Sequence, residues 1–156
     1  MEHAKARVIA EAVLRQLQPY CDRIEIAGSL RRNKPEVGDV EIVCIPTHSE
    51  ILFFSQVLDQ YEHVKGAATG KYIQVRFQGV QVDVFMATED NWGYILALRT
   101  GNADFSRRIV GTWLPKHGYN CKDGYVWRDG QKIPVPYEKN LFAMMGIPWV
   151  DPRFRV

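Results

Sequence analysis

Residues 27–42 read Ala27-Gly28-Ser29-Leu30-Arg31-Arg32-Asn33-Lys34-Pro35-Glu36-Val37-Gly38-Asp39-Val40-Glu41-Ile42. A strand that begins at Arg23 ends at Gly28, where the missing side chain lets another backbone or a phosphate approach. Ser29 offers a hydroxyl, and a short helix starting there would aim backbone N–H groups at an anion. Arg31 and Arg32 follow, then a loop. A second strand, Asp39–Ile45, comes next, with Asp39 and Glu41 on one face and Val40, Ile42 and Cys44 on the other. Two carboxylates at i and i+2 sit roughly 6–7 Å apart along a strand. Two acids so placed are ordinarily a solvated surface feature. Their distance from Gly28-Ser29, and a third acid, Asp83, inside the apolar run Val82-Asp83-Val84, give them a different meaning. Three carboxylates supply the hard oxygen donors that Mg²⁺ prefers, leaving room in its shell for water and substrate phosphate. Two such ions suit an in-line phosphoryl transfer.

Outward from this stretch, the pattern is α+β. Residues 2–18 form an amphipathic helix, with Val8/Ile9, Ala12/Val13 and Leu17 recurring about every four residues, and Pro19 ends it. Residues 49–59 predict a second helix through Ile51, Leu52, Phe54, Val57 and Leu58. Lys71–Phe77 and Val80–Phe85 alternate on either side of Gln78-Gly79, a two-residue hairpin signal. Beyond residue 90 the texture changes. Helices are expected over Asn91–Thr100 and Asp104–His117, the second weakened near its end by Pro115. Three short strands punctuated by Asp123-Gly124 and Asp129-Gly130 follow, and a last helix, about 138–145, is capped by Gly146. Two lobes are expected, 1–90 and 91–156, with no repeats and no Gly-, Ser- or Pro-rich linker between them.

The chain has 156 residues, 46% hydrophobic and 24% charged, an ordinary balance for a globular protein and against disorder. A chain of this size buries roughly two thirds of its unfolded surface without staples. No window approaches 18 consecutive apolar residues, and the start, Met1-Glu-His-Ala-Lys, is not read as a signal peptide. Cys21, Cys44 and Cys121 are too scattered for a disulfide framework or a zinc site, so free thiols in a reducing, intracellular compartment are expected. Residues 1–90 hold 10 Lys+Arg and 13 Asp+Glu, net −3, whereas residues 91–156 hold 10 and 5, net +5. An acidic front and a basic back are consistent with a metal-binding lobe beside a phosphate-binding one.

Gly28-Ser29, a nine-residue gap (30–38), then Asp39-Val-Glu41-Ile and later Val82-Asp83-Val84, resemble the nucleotidyltransferase superfamily signature. More narrowly, Gly28-Ser-Leu-Arg-Arg with Gly38-Asp39-Val-Glu41 is similar to family X DNA polymerases, the group of polymerase beta. Arg99-Thr-Gly-Asn102 and Asp104-Phe105-Ser106-Arg107 resemble that family's aromatic-Thr-Gly-Ser turn and the helix after it. Glu138-Lys-Asn-Leu-Phe142 through Gly146-Ile-Pro148 to Pro152-Arg153 resembles its closing segment. The three landmarks span about residues 5–156 and imply an α+β nucleotidyltransferase palm with a small mixed sheet, followed by a thumb-like lobe. No counterpart of the family's lyase and helix-hairpin-helix region is expected.

The resemblance implies roles. Asp39, Glu41 and Asp83 would bind two Mg²⁺ ions, with Mn²⁺ as a substitute, and Asp83 would lie nearest the primer 3′-hydroxyl. Gly28, Ser29, Arg32 and the Gly38 backbone would hold a nucleoside triphosphate. Thr100 and Gly101 would flank its sugar, and Ser106 would sit near the base edge. Arg107, Arg108 and Lys116 would face DNA. A monomer that fills gaps at DNA 3′ ends, away from any membrane, is the implied function. The alternatives are transfer to a non-DNA acceptor and a DNA-end-binding module that has lost its chemistry. Departures from the family pattern are Glu41 where Asp is usual, Leu98-Arg99 in place of the aromatic pair, Asn102 for Ser, Val110 at a template-contacting position and Gln81 for a basic residue. Trp92, Tyr94, Phe105 and Trp113 are expected in the core, and His63 and His117 at the surface.

Overall fold

The computed structural model describes residues 1–156 and divides into two compact units, Met1–Ala87 and Thr88–Val156. It is mixed α+β. In the first unit, α1 (His3–Leu17) runs into a 3₁₀ turn, Gln18–Tyr20, because Pro19 cannot continue the helical ladder. Strand β1 (Cys21–Ile26) leads to a single helical turn, α2 (Gly28–Arg31). Strand β2 (Val40–Pro46), helix α3 (Ile51–Asp59) and strands β3 (Glu62–Gly66), β4 (Tyr72–Phe77) and β5 (Val80–Met86) complete the unit.

The five strands form one sheet in the order β1-β2-β5-β4-β3. Only β2 and β5 are parallel; the remaining pairs are antiparallel. β4 and β5 are joined at Gln78 (φ 52°) and Gly79 (φ 77°), the two positive φ angles of a type I′ hairpin turn. One sheet face is apolar. Val40, Ile42, Cys44, Ile73, Val75, Val82 and Val84 are buried together with Ile9, Val13 and Leu17 of α1 and Phe54 and Leu58 of α3. Full burial of each such aliphatic side chain favours the folded state by about 1.5–3 kcal/mol. Alternation therefore directs Glu41, Tyr72, Gln74, Gln81 and Asp83 to the opposite face, polar at these positions, where Val43 and Ile45 of β2 are nonetheless buried.

Strand β3 was not anticipated from the sequence. All five of its residues are exposed, so an edge strand such as this carries no alternation to read. Leu52, expected on the apolar face of its helix, is 73% exposed instead; α3 buries only Phe54 and Leu58.

In the second unit, α4 (Trp92–Thr100) is followed by α5 (Ala103–Arg108), which continues through a π-helical turn, Ile109–Trp113, into α6 (Leu114–Lys116). Pro115 has no N–H to donate, and its ring crowds the carbonyl four residues earlier, at Gly111. The wider π turn lies at that point and accommodates the ring. Strands β6 (Asn120–Lys122), β7 (Tyr125–Arg128) and β8 (Gln131–Ile133) form a three-stranded antiparallel sheet, and α7 (Glu138–Met144) follows. Tyr94, Phe105, Ile109, Leu114 and Phe142 lie in its core. Trp92 is buried too, whereas Trp113 is only partly so. Arg155 has no exposed surface. Its guanidinium donates from Nη1 to Glu138 Oε2 (2.7 Å), from Nη2 to Glu138 Oε1 (3.0 Å) and from Nε to the Val150 carbonyl (2.9 Å), and it stacks over Phe142 and Trp149.

Candidate active site

The parallel pairing of β2 with β5 puts Glu41 directly beside Asp83 as Cα partners. Asp39 immediately precedes β2, two residues before Glu41, and continuing the register from Val40–Val82 sets it level with Gln81. All three acids thus belong to the polar face of the sheet, as the spacing of residues 28–42 led one to expect.

Asp83 is nearly buried, 6% exposed, and both of its oxygens accept hydrogen bonds. Tyr72 Oη (2.6 Å) and Gln74 Nε2 (2.8 Å) donate to Oδ1, and Gln81 Nε2 (3.0 Å) donates to Oδ2. The same Gln81 nitrogen reaches Asp39 Oδ2 at 3.3 Å. Burial raises the pKa of Asp39 above the ordinary carboxylate range. The adjacent Asp83 carboxylate raises it further, and a backbone N–H opposes the rise. Burial pushes the Tyr72 phenol up to about 12, reinforced by its bond to Asp83, so it stays a donor at neutral pH.

Glu41 takes a different direction. Gly28 has φ +63°, and a Cβ built there would lie 2.1 Å from Glu41 Oε2 and 3.2 Å from Glu41 Cβ. The close approach expected at Gly28 is made here by a carboxylate. Beside it, burial lowers the pKa of Arg32 and the charge of Glu41 opposes that shift. No group of three or more His, Cys, Asp or Glu side chains is arranged to hold a metal ion; Gln81 links Asp39 with Asp83, and Glu41 lies over Gly28. The donor chemistry nonetheless fits a hard divalent cation: oxygen atoms only, negatively charged, on one sheet face.

Tyr72 and Gln74 were missed as site residues. Gln74 is the Cα partner of Asp83 across the β4–β5 ladder and is 8% exposed. The two-residue hairpin at Gln78-Gly79, whose register sets Gln74 across from Asp83, was the signal available.

In the second unit most of the predicted site residues have partners within the unit. Thr100 has no exposed surface. Ser106 donates its hydroxyl to the Leu98 carbonyl (2.7 Å), and a Cβ on Gly101 would press on Phe105 (2.9 Å), so this segment is a tight α4–α5 turn. Asn102 caps α5 by accepting from the Phe105 N–H at 2.8 Å. Arg107 Nη1 lies 3.2 Å from Asp104 Oδ1. The Arg108 guanidinium stacks over Phe105 and Trp113 and donates to the Val156 carbonyl. Lys116 is exposed, as are His63 and His117.

Residues 95–156 match the family described as DNA polymerase beta thumb. Over those residues the chain is similar to a polymerase beta thumb. Among its relatives is DNA polymerase lambda of Rattus norvegicus, 26% identical over 161 residues, an alignment covering 82% of this chain. The chain spans 28% of the length of that polymerase. No helix is long and apolar enough to cross a membrane.

Proposed function

We propose that this chain is a divalent-cation-dependent nucleotidyltransferase that adds dNMP to a DNA 3′ end, in the manner of a gap-filling polymerase. The observation that carries the proposal is the parallel register of Glu41 with Asp83, with Asp39 two residues before Glu41, which puts three acids on one sheet face. The likeness of residues 95–156 to a polymerase thumb supports DNA as the acceptor.

In this reading the primer 3′-oxygen attacks the α-phosphorus of a nucleoside triphosphate and pyrophosphate leaves. Asp39, Glu41 and Asp83 would hold Mg²⁺, which when bound neutralises phosphate charge and favours the ionised hydroxyl. Tyr72 and Gln74 fix the rotamer of Asp83 through Oδ1 and so orient its other oxygen. Ser29 would donate its hydroxyl to a phosphate oxygen, the Gly38 backbone would approach the triphosphate, and Arg32 would present a planar fork of donors. The protein's contribution is position and charge complementarity. In the second unit, Lys116 and Arg107 would contact DNA phosphates.

The test is primer extension with Mg²⁺ on gapped, template-primer and single-stranded DNA, with dNTPs and rNTPs in parallel. Asp39→Ala and Asp83→Ala should abolish extension while leaving the chain folded. Extension by either variant at the wild-type rate would remove these carboxylates from the chemistry. Transfer of labelled nucleotide to a non-DNA acceptor, with none to DNA, would reassign the substrate.

A further inference from the structure

We infer that Gln81 gates the cation site: its side-chain amide bridges Asp39 and Asp83 through the oxygens a divalent cation would use, and must leave them when the cation binds. The inference rests on the reading of Asp39 and Asp83 as cation ligands.

The geometry is that of a stand-in. Gln81 Nε2 lies 3.0 Å from Asp83 Oδ2 and 3.3 Å from Asp39 Oδ2, so one primary amide, with its two hydrogens, serves two like-charged groups. Asp83 Oδ1 is already engaged by Tyr72 and Gln74, which makes Oδ2 the oxygen over which an incoming ion and Gln81 compete. Mg²⁺ binds its oxygens at about 2.0–2.1 Å, and two oxygens drawn to one ion leave no room for an amide hydrogen between them.

Departure of the amide is structurally cheap. Gln81 is only partly buried, and its backbone is fixed independently by pairing with Arg76 on β4. The amide is also neutral. It relieves the repulsion between the two carboxylates with partial charges alone, so an ion carrying two full charges displaces it. Gln81 is thus a positioning residue with opposite effects in the two states: it steadies the cation-free pair and opposes loading.

The experiment is Mn²⁺ and Mg²⁺ titration calorimetry on the whole chain, together with thermal unfolding at zero and saturating Mg²⁺. Gln81→Leu, close in size but without a donor, is expected to bind the ions about 3- to 10-fold more tightly, since one competing hydrogen-bond arrangement is gone. It is expected to melt lower than wild type without the ion, and the difference should shrink at saturating Mg²⁺. Loss of packing alone would not tighten binding. Gln81→Lys, which plants a resident cation between the acids, should weaken binding by more than tenfold. On the wild-type chain, the Gln81 side-chain ¹H–¹⁵N resonances should move with Mg²⁺ and saturate at the calorimetric midpoint. This measurement does not depend on any variant folding. Affinity in Gln81→Leu equal to or below wild type, or side-chain resonances unmoved by Mg²⁺, would overturn the inference alone. Wild-type binding that Asp39→Asn leaves unchanged, or no binding by wild type, would overturn the underlying cation reading and the gate with it.

Discussion

The Glu41 carboxylate occupies the space that a side chain on residue 28 would need: a Cβ on Gly28 would stand 2.1 Å from Glu41 Oε2. Gly28 therefore meets two demands at once, a left-handed backbone at φ +63° and an open place for an acid. Gly28→Ala is expected to cost about 1–2 kcal/mol from the backbone alone and to push the Glu41 carboxylate out of its position. Urea unfolding would measure the first effect. If Glu41 serves the chemistry, primer extension should fall further than the stability loss explains.

Tyr72 donates to Asp83 Oδ1 at 2.6 Å, the shortest of the bonds holding that carboxylate. Tyr72→Phe keeps the ring, and with it the stacking on Phe85 (centroids 5.0 Å apart), while removing the donor. A hydrogen bond to a charged group contributes about 1.5–3 kcal/mol, so a loss of that order is expected in chemical denaturation. A stability unchanged from wild type would mean that Gln74 and solvent fully replace the phenol.

Glu138 and Arg155 form a fork–fork pair with 6% and 0% of their side chains exposed. Removing one partner strands a buried charge and typically costs about 3–5 kcal/mol. Glu138→Gln or Arg155→Met should thus unfold the second unit at markedly lower urea. The double variant Glu138→Gln/Arg155→Met should be less damaging than the sum of the two, which a double-mutant cycle would show.

Burial pushes the Tyr61 phenol up to about 12 from an ordinary value of 10.0. The anion is the disfavoured form in the folded state. Stability contributed by the neutral phenol is therefore complete below pH 10 and is lost as pH rises through about 12. Tyr61 also donates to Gln16 Oε1. The thermal midpoint of Tyr61→Phe should be lower than wild type at pH 8 and converge on it as pH rises through about 12, where wild type loses this contribution.

Much of this architecture is legible in the sequence. The hairpin at Gln78-Gly79, the three acids and the closing helix have local signatures: positive-φ residues, alternation and apolar periodicity. What was not legible depended on tertiary pairing. β3 has no buried residue to betray it. The roles of Tyr72 and Gln74 exist only because β4 lies beside β5 with Gln74 opposite Asp83. The approach of Glu41 to Gly28 joins two residues thirteen apart in the chain, and only the packing of the α2 turn beside β2 reveals it. Arg107 and Arg108 read as a basic helix face, but one is paired with Asp104 and the other lies across two rings.

The internal engagement of these arginines bears on how the basic half would respond to salt. Binding to a polyanion gains its entropy from counterions released as cations neutralise phosphates, and the slope of log affinity against log salt is about −0.9 per phosphate neutralised on duplex DNA. Residues 91–156 hold 10 Lys+Arg. Arg155 is enclosed and contributes nothing to that count, whereas Arg107 and Arg153 must each exchange a carboxylate, Asp104 or Asp151, for a phosphate. Exchanging one anion for another liberates fewer ions than covering a bare phosphate with a solvated lysine. DNA affinity measured across a salt series should accordingly fall less steeply than the composition suggests, and Asp104→Ala should steepen it.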